Sequence, residues 1–137
     1  MNDDIDVLAR TLWGEARGEG SMGMHAVAAV ILNRLKMAEK SGGFWWGNTV
    51  QGICKKSYQF SCWNKDDPNF EKLKVVDDRD IHFATALRLA RRAVIGALTD
   101  PTNGATHYHA AGINPPWARN EKPTAVLGRH IFYCLKG

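Results

Sequence analysis

Two apolar stripes of helical period fill the first forty residues, and only Arg17–Gly20 stands between them. In the first, Ile5, Leu8, Ala9, Leu12, Trp13 and Ala16 recur at three- and four-residue steps. This pattern predicts an amphipathic helix over residues 3–17. Asp3 or Asp4 can cap its start, where negative charge suits the helix dipole. Gly18 and Gly20 end it. Ser21 is then placed to cap a second helix, running to about Lys40 with Val27, Val30, Ile31, Leu35 and Ala38 inward. "SGG", Ser41 to Gly43, closes it. A third stripe, Phe83, Leu87, Ala90, Val94, Ala97 and Leu98, predicts a helix over residues 80–98. Asp80 is its cap, and "TDPTNG" is its stop, because the residue before Pro101 is pushed out of helical space.

The rest of the chain has no helical period. Residues 42–79 read as irregular and rich in aromatics, with one short helix near Thr49–Cys54. A long aromatic loop inside a domain is more often functional than idle. "ATHYH", Ala105 to His109, and "HIFYCL", His130 to Leu135, read as short strands. The fold class expected is α+β: one helix-rich domain over residues 1–137 with a small β element.

Composition narrows the partners. No apolar run approaches the roughly 20 residues of a membrane-spanning helix, so no stable membrane insertion is expected. The N-terminus, "MNDDIDVLAR", lacks a signal peptide's basic-then-apolar layout. Synthesis in the cytoplasm is expected, with export by another route. A net charge of +4 favours anionic partners such as nucleic acid, lipid head groups or anionic wall polymer. The basic residues are scattered and no DNA-reading motif appears. Cys54, Cys62 and Cys134 are an odd count without a CxxC pair, read as reduced and partly buried. A Cys54–Cys62 bridge stays open for an oxidising compartment.

Three groups of residues can carry chemistry. "LWGEARGEG" places Glu15 and Glu19 four residues apart. At about 100° per residue, Glu15 falls on the shoulder of the first apolar stripe. A carboxyl half-buried there has a raised pKa and suits a general acid. Two solvated surface charges, paired with Arg10 or Arg17, fit the same spacing. "YQFSCWN" offers Gln59, Ser61 and Asn64 for hydrogen bonds, and Tyr58, Phe60 and Trp63 as flat faces; both suit a sugar ring. Filling the core under a loop is the other reading of these aromatics. His107 and His109 in "THYH" would point to one side of a strand, as a metal pair does, with His130 as a third ligand. Structural histidines fit equally.

Four segments together resemble the SleB-like family of cell wall hydrolases, the spore-cortex-lytic type: "LARTLWGEARGEGSMGMHAVAAVILNR", "YQFSCWN", "DPTNGATHYHAAGINPPWA" and "LGRHIFY". The resemblance runs from about Val7 to Tyr133. It implies a lysozyme-like α+β fold. It also implies cleavage of peptidoglycan glycan strands between N-acetylmuramic acid and N-acetylglucosamine, as a lytic transglycosylase that leaves an anhydromuramic end. Glu15 matches the family's acid. Gln59, Phe60, Ser61, Trp63, Tyr108 and Trp117 are expected to bind substrate, with Glu19 and His107 in support. No cofactor and no metal are expected.

One acid suffices for a transglycosylase, because the muramic acid's own hydroxyl is the nucleophile. A hydrolytic muramidase needs a second carboxylate, for which Asp66, Asp67, Glu71 and Glu121 are available. A zinc amidase built on the three histidines is the more distant alternative. A non-catalytic module binding wall or nucleic acid is another, although no nucleic-acid partner is expected. A chain acting as a monomer, of the phage or prophage endolysin type and released to the wall by a holin, is the cellular setting expected.

Overall fold

The structure, a computed structural model, describes residues 3–57 and 59–135. Five helices come first: α1 Asp3–Ala16, α2 Gly20–Lys40, α3 Val50–Lys55, α4 Phe70–Val75 and α5 Ile81–Val94. Three strands follow: β1 His107–Ala110, β2 Ala125–Leu127 and β3 His130–Tyr133. Among the described residues no helix is long and apolar enough to cross a membrane.

The α1 stripe buries Leu8, Ala9 and Leu12 completely, and Val7, Trp13 and Ala16 nearly so. Asp3, Asp4 and Asp6 stand in its first turn, at the positive end of the dipole. A 3-10 turn, Arg17–Glu19, leads directly into α2. α2 therefore starts at Gly20, one residue before the expected Ser21 cap. Its N-cap is Glu19, which makes no side-chain cap bond because its carboxylate is committed elsewhere. α2 is covered on most sides, burying Met24, the run Ala26 to Ile31, Arg34 and Ala38. Leu35 is only partly buried. The "SGG" stop holds: Gly42 adopts φ 69° and the Gly43 N–H donates to Ala38 O at 2.8 Å.

α5 begins as expected, with Asp80 Oδ1 accepting the His82 and Phe83 N–H groups. It ends earlier than expected. Gly96, at φ 77°, turns the chain after Val94, and the Ala97 N–H closes on Arg92 O at 2.9 Å. Leu98 still packs on the core, but from outside the helix. The middle is less irregular than its composition implies. Thr49 caps α3, and the 3-10 turn Ser61–Trp63 and helix α4 were not expected. α4 is only 6 residues long and buries only Leu73, so no stripe betrays it.

This middle segment is pinned to α1 by side chains. Arg10 donates to Leu73 O at 2.6 Å and Val76 O at 3.0 Å. Arg17 donates to Asn69 Oδ1 at 2.7 Å, and Trp63 Nε1 to Thr11 Oγ1 at 2.9 Å. The sheet is antiparallel in the order β1-β3-β2. β2 is too short for its alternation to be read. Phe132 of β3, fully buried with Ala26, Val30 and Ala105, seats the sheet on α2.

Candidate active site

Glu15 sits where α1, the 3-10 turn Ser61–Trp63 and β1 meet. The Cys62 N–H donates to one carboxylate oxygen at 3.2 Å, and the Tyr108 hydroxyl to the other at 3.1 Å. Gly14 permits the first bond: a Cβ there would lie 2.6 Å from Cys62 Cβ and 2.9 Å from its Sγ. Register places Tyr108 opposite Phe132, on the face of the sheet that meets the helices. Burial raises the Glu15 pKa above its ordinary value. The Cys62 and Tyr108 donors oppose that rise, and the negative charge of Asp67 adds to it. Burial also holds the Tyr108 hydroxyl well above 10, so it stays a donor at neutral pH.

Glu15 opens into a cleft of about 530 Å³. Gln59, Phe60, His107, Tyr108 and Trp117 of the expected residues line it. Ser61 and Trp63 do not. Ser61 is exposed on its turn, and the Trp63 indole turns back to Thr11 with the Lys55 ammonium 4.8 Å from its ring. Tyr58 lies outside the described residues. Burial and the nearby Arg34 charge push His107 down to about 4, so its ring is neutral at neutral pH. Its Nδ1 shares a 2.9 Å hydrogen bond with Thr106 Oγ1, and its ring centroid lies 5.2 Å from that of Trp117.

Arg34, Trp45 and Leu135 also line the cleft and were not anticipated. Arg34 had a signal: it falls in phase with Val27, Val30, Ile31 and Ala38, so its guanidinium belongs to the buried face of α2. It is 5% exposed. Its Nε donates to Thr106 O at 2.7 Å and its Nη1 to Gln59 Oε1 at 3.2 Å. Trp45 had only the aromatic richness of its loop as a signal, because a loop tryptophan has no period to place it.

Glu19 stands apart from the cleft. Its carboxylate accepts the Arg129 N–H at 2.7 Å and pairs with Arg129 Nε at 3.3 Å, on the turn between β2 and β3. These bonds hold its pKa below the ordinary value. Its support of the fold is therefore present at neutral pH and declines as pH falls below about 4.5. Glu19→Gln keeps an acceptor for the Arg129 N–H and should retain most of the activity. Glu19→Ala should lower the melting temperature further than Glu19→Gln, and both should flatten its acid-side pH dependence. Thermal melts across pH with a turbidity assay on sacculi check this.

Among the cleft-lining residues Glu15 is the single carboxylate. Glu71 pairs with Lys74 at 2.9 Å on α4. Asp67 accepts the Asn69 N–H at 2.8 Å, and Glu15 feels its charge. The three histidines do not converge. His107 and His109 share one face of the sheet, whereas His130 lies on the other, its ring 5.0 Å from Tyr108. His109 is engaged with Tyr133 Oη at 3.0 Å. Among the described residues no group of three His, Cys, Asp or Glu is placed to hold a metal ion, so the zinc-amidase alternative lacks its ligand set. Cys54 and Cys62 are buried free thiols, and burial pushes Cys54 up to about 12.

Known proteins resemble this chain over nearly its whole length. The spore cortex-lytic enzyme of Halalkalibacterium halodurans is 34% identical over 96% of the chain, and that of Bacillus cereus 32% over 95%. The chain spans only 34% and 44% of the length of those two relatives. The catalytic domain of the germination-specific lytic transglycosylase SleB from Bacillus anthracis superposes with a TM-score of 0.72 at 29% identity. The match covers 97% of this chain and 95% of that one. The catalytic domain of Bacillus cereus SleB gives 0.73 at 29% identity, covering 97% and 91%. The arrangement of helices around a small sheet is thus the lysozyme-like α+β fold of those domains. A family model described as Cell Wall Hydrolase matches residues 18–133, and the chain belongs to that family.

Proposed function

We propose that this chain is a peptidoglycan lytic transglycosylase that cleaves glycan strands between N-acetylmuramic acid and N-acetylglucosamine. Glu15 serves as acid and then as base. The observation that carries the reading is a single raised-pKa carboxyl, held by two donors, in a cleft walled by Phe60, Trp117 and Trp45. The structurally similar Bacillus anthracis domain belongs to a germination-specific lytic transglycosylase, which agrees with it. The aromatic walls and the Gln59 amide suit a ring with apolar faces and a hydroxyl edge.

The chemistry follows from one group. Protonated Glu15 gives its proton to the glycosidic oxygen as the bond from the muramic anomeric carbon breaks, and positive charge develops on that sugar. The resulting carboxylate, steadied by the Cys62 and Tyr108 donors, then takes the proton from the muramic acid's own hydroxymethyl group. Its oxygen closes on the anomeric carbon, forming the anhydro ring and returning Glu15 to its acid form. No water is consumed. The Cys62 and Tyr108 donors stabilise the ionised state formed midway, and burial favours the neutral state that starts the cycle.

The pH profile tests these roles. Cleavage needs protonated Glu15, so the alkaline limb follows its pKa. Tyr108→Phe removes a donor that holds this pKa down, so the limb should move to higher pH. The rate should fall about tenfold, as the ionised state loses a hydrogen bond. Asp67→Asn removes a charge that holds it up, and the limb should move to lower pH with most of the rate kept. Identical limbs in both variants would contradict the assignment. The hydrolytic alternative, with Asp67 activating water, instead requires Asp67→Asn to lose nearly all activity. Action as a monomer over residues 1–137, delivered to the wall through a holin-type pore, is part of the same proposal. Sedimentation of the protein and lysis dependent on a co-expressed holin check it.

A further inference from the structure

One charged side chain of the cleft, Arg34, takes no part in the proton transfers of Glu15. Arg34 rises from the inner face of α2 and is almost wholly buried, yet among the described residues no carboxylate pairs with it. Its neighbours are polar or aromatic instead: Thr106 O, Gln59 Oε1, and the rings of Trp46 and Phe60 at 5.1 and 5.5 Å. Burial lowers it only to about 10, so it remains a cation at neutral pH. A buried charge without a counter-ion is costly unless something else compensates it.

The geometry shows where compensation is available. A guanidinium has five N–H donors in a flat fork. Nε and Nη1 are each engaged once, by groups that fix the plane. Nη2 has no hydrogen-bond partner among the described residues. Among the described residues His130 Nδ1, and not Nη2, is the buried side-chain atom left without a partner. Arg34 lines the same cleft as Glu15, so a ligand that enters the cleft meets this guanidinium. A fixed, partly desolvated fork beside apolar walls is suited to a carboxylate, which it can bind through two parallel hydrogen bonds.

We propose that Arg34 binds a carboxylate carried on the lactyl substituent of muramic acid, and thereby sets which of the two alternating sugars lies beside Glu15. This inference rests on the glycan-cleaving reading above. The two sugars of the strand share their ring chemistry; muramic acid alone bears the lactyl ether. That ether ends in a carboxyl that is either free or extended by a stem peptide with carboxylates of its own. A residue that grips this substituent places the muramic hydroxymethyl group, rather than that of glucosamine, at the reacting position. Arg34 is thus a specificity-determining residue, and Gln59 positions it.

The test is binding of defined tetrasaccharides to the Glu15→Gln variant, read by calorimetry. One ligand has free lactyl carboxylates and one has them as methyl esters. Two more carry stem peptides, with their carboxylates free or amidated. The free-carboxylate form of at least one pair should bind about tenfold or more tightly than its neutral counterpart. The pair that shows the gap identifies the lactyl or the peptide source. The gap should shrink with added salt and vanish when Arg34→Met or Arg34→Gln is added, in protein shown to be folded by circular dichroism. Equal affinity for charged and neutral ligands in protein that retains Arg34 overturns the inference, whether or not the Arg34 variants fold. If all four bind alike and the unaltered protein still cuts sacculi, only the inference fails. If none binds and sacculi stay intact, the glycan-cleaving reading fails with it.

Discussion

Glu15→Gln should reduce release of glycan fragments from sacculi by about a hundredfold to ten-thousandfold, the share of rate ordinarily due to a positioned acid-base group. The protein should stay folded and, at neutral pH, become no less stable than the parent. Stability is the less obvious half. The folded-state pKa of Glu15 lies above its ordinary value of 4.5 because burial disfavours its charge. The folded chain therefore holds this proton more tightly than the unfolded chain does. The contribution of the group is complete at acid pH and declines as pH rises from about 4.5 through the folded pKa. A neutral amide of the same shape has no such decline, so its advantage over the parent should grow toward neutral pH. It still accepts a hydrogen bond from Cys62 or Tyr108. Loss of activity together with unchanged or raised melting temperature marks a residue kept for chemistry. A collapse of both would mark a structural one.

Gly14→Ala should be the most damaging single-methyl change in the motif. Alanine gains about 1 kcal/mol of helix propensity over glycine. Its Cβ, however, would stand 2.6 Å from Cys62 Cβ, 2.9 Å from Cys62 Sγ and 3.3 Å from Leu73 Cδ1. Each of the first two contacts forces a shift, and inserting a group into a packed site costs about 1–3 kcal/mol. The segment that must move bears the Cys62 N–H, which donates to Glu15 at 3.2 Å. The variant should therefore melt lower and lose at least about tenfold in rate through a misplaced donor. Gly18→Ala is the matching control in the same motif: nothing lies within 4 Å of its Cβ, so stability and rate should barely change. Thermal melts and initial rates on purified sacculi decide the comparison, and equal behaviour of the two alanine variants contradicts this account of Gly14.

Sequence legibility followed element length. The stripes of α1, α2 and α5 run over several turns and could be phased, so most of their inward residues were readable, although Leu35 is only partly buried and α2 buries residues beyond its stripe. Short elements were not. α4 buries one leucine and β2 has three residues, too few for either period to appear. Boundaries failed where a glycine with positive φ acted before a more conspicuous signal. Gly96 ended α5 ahead of Pro101, and Gly20 opened α2 ahead of Ser21.

The site divides in the same way. Helical phase placed Glu15 on the shoulder of its stripe, where the structure has it half-buried. Phase could not say that Cys62 and Tyr108, 47 and 93 residues away, would supply its donors, because that requires the tertiary fold. Nor could the strand period say that His130 would face away from His107 and His109; that depends on the β1–β3 register. Trp63 looked like a sugar platform among its aromatic neighbours, but the 3-10 turn rotates it onto Thr11. Arg34 is legible from helical phase alone. A cation on the buried face of a helix conflicts with its local pattern, and such conflicts concentrate at functional sites.

The most direct test of the central claim is the chemistry of the new chain ends. Purified sacculi digested with the unaltered protein, and in parallel with Glu15→Gln, are analysed by mass spectrometry of the released glycan. Fragments ending in anhydromuramic acid from the unaltered protein, and none from Glu15→Gln, are the predicted result. Reducing ends alone would establish hydrolysis through a second carboxylate. Free stem peptides with uncut glycan, or undiminished release by Glu15→Gln, would contradict the account.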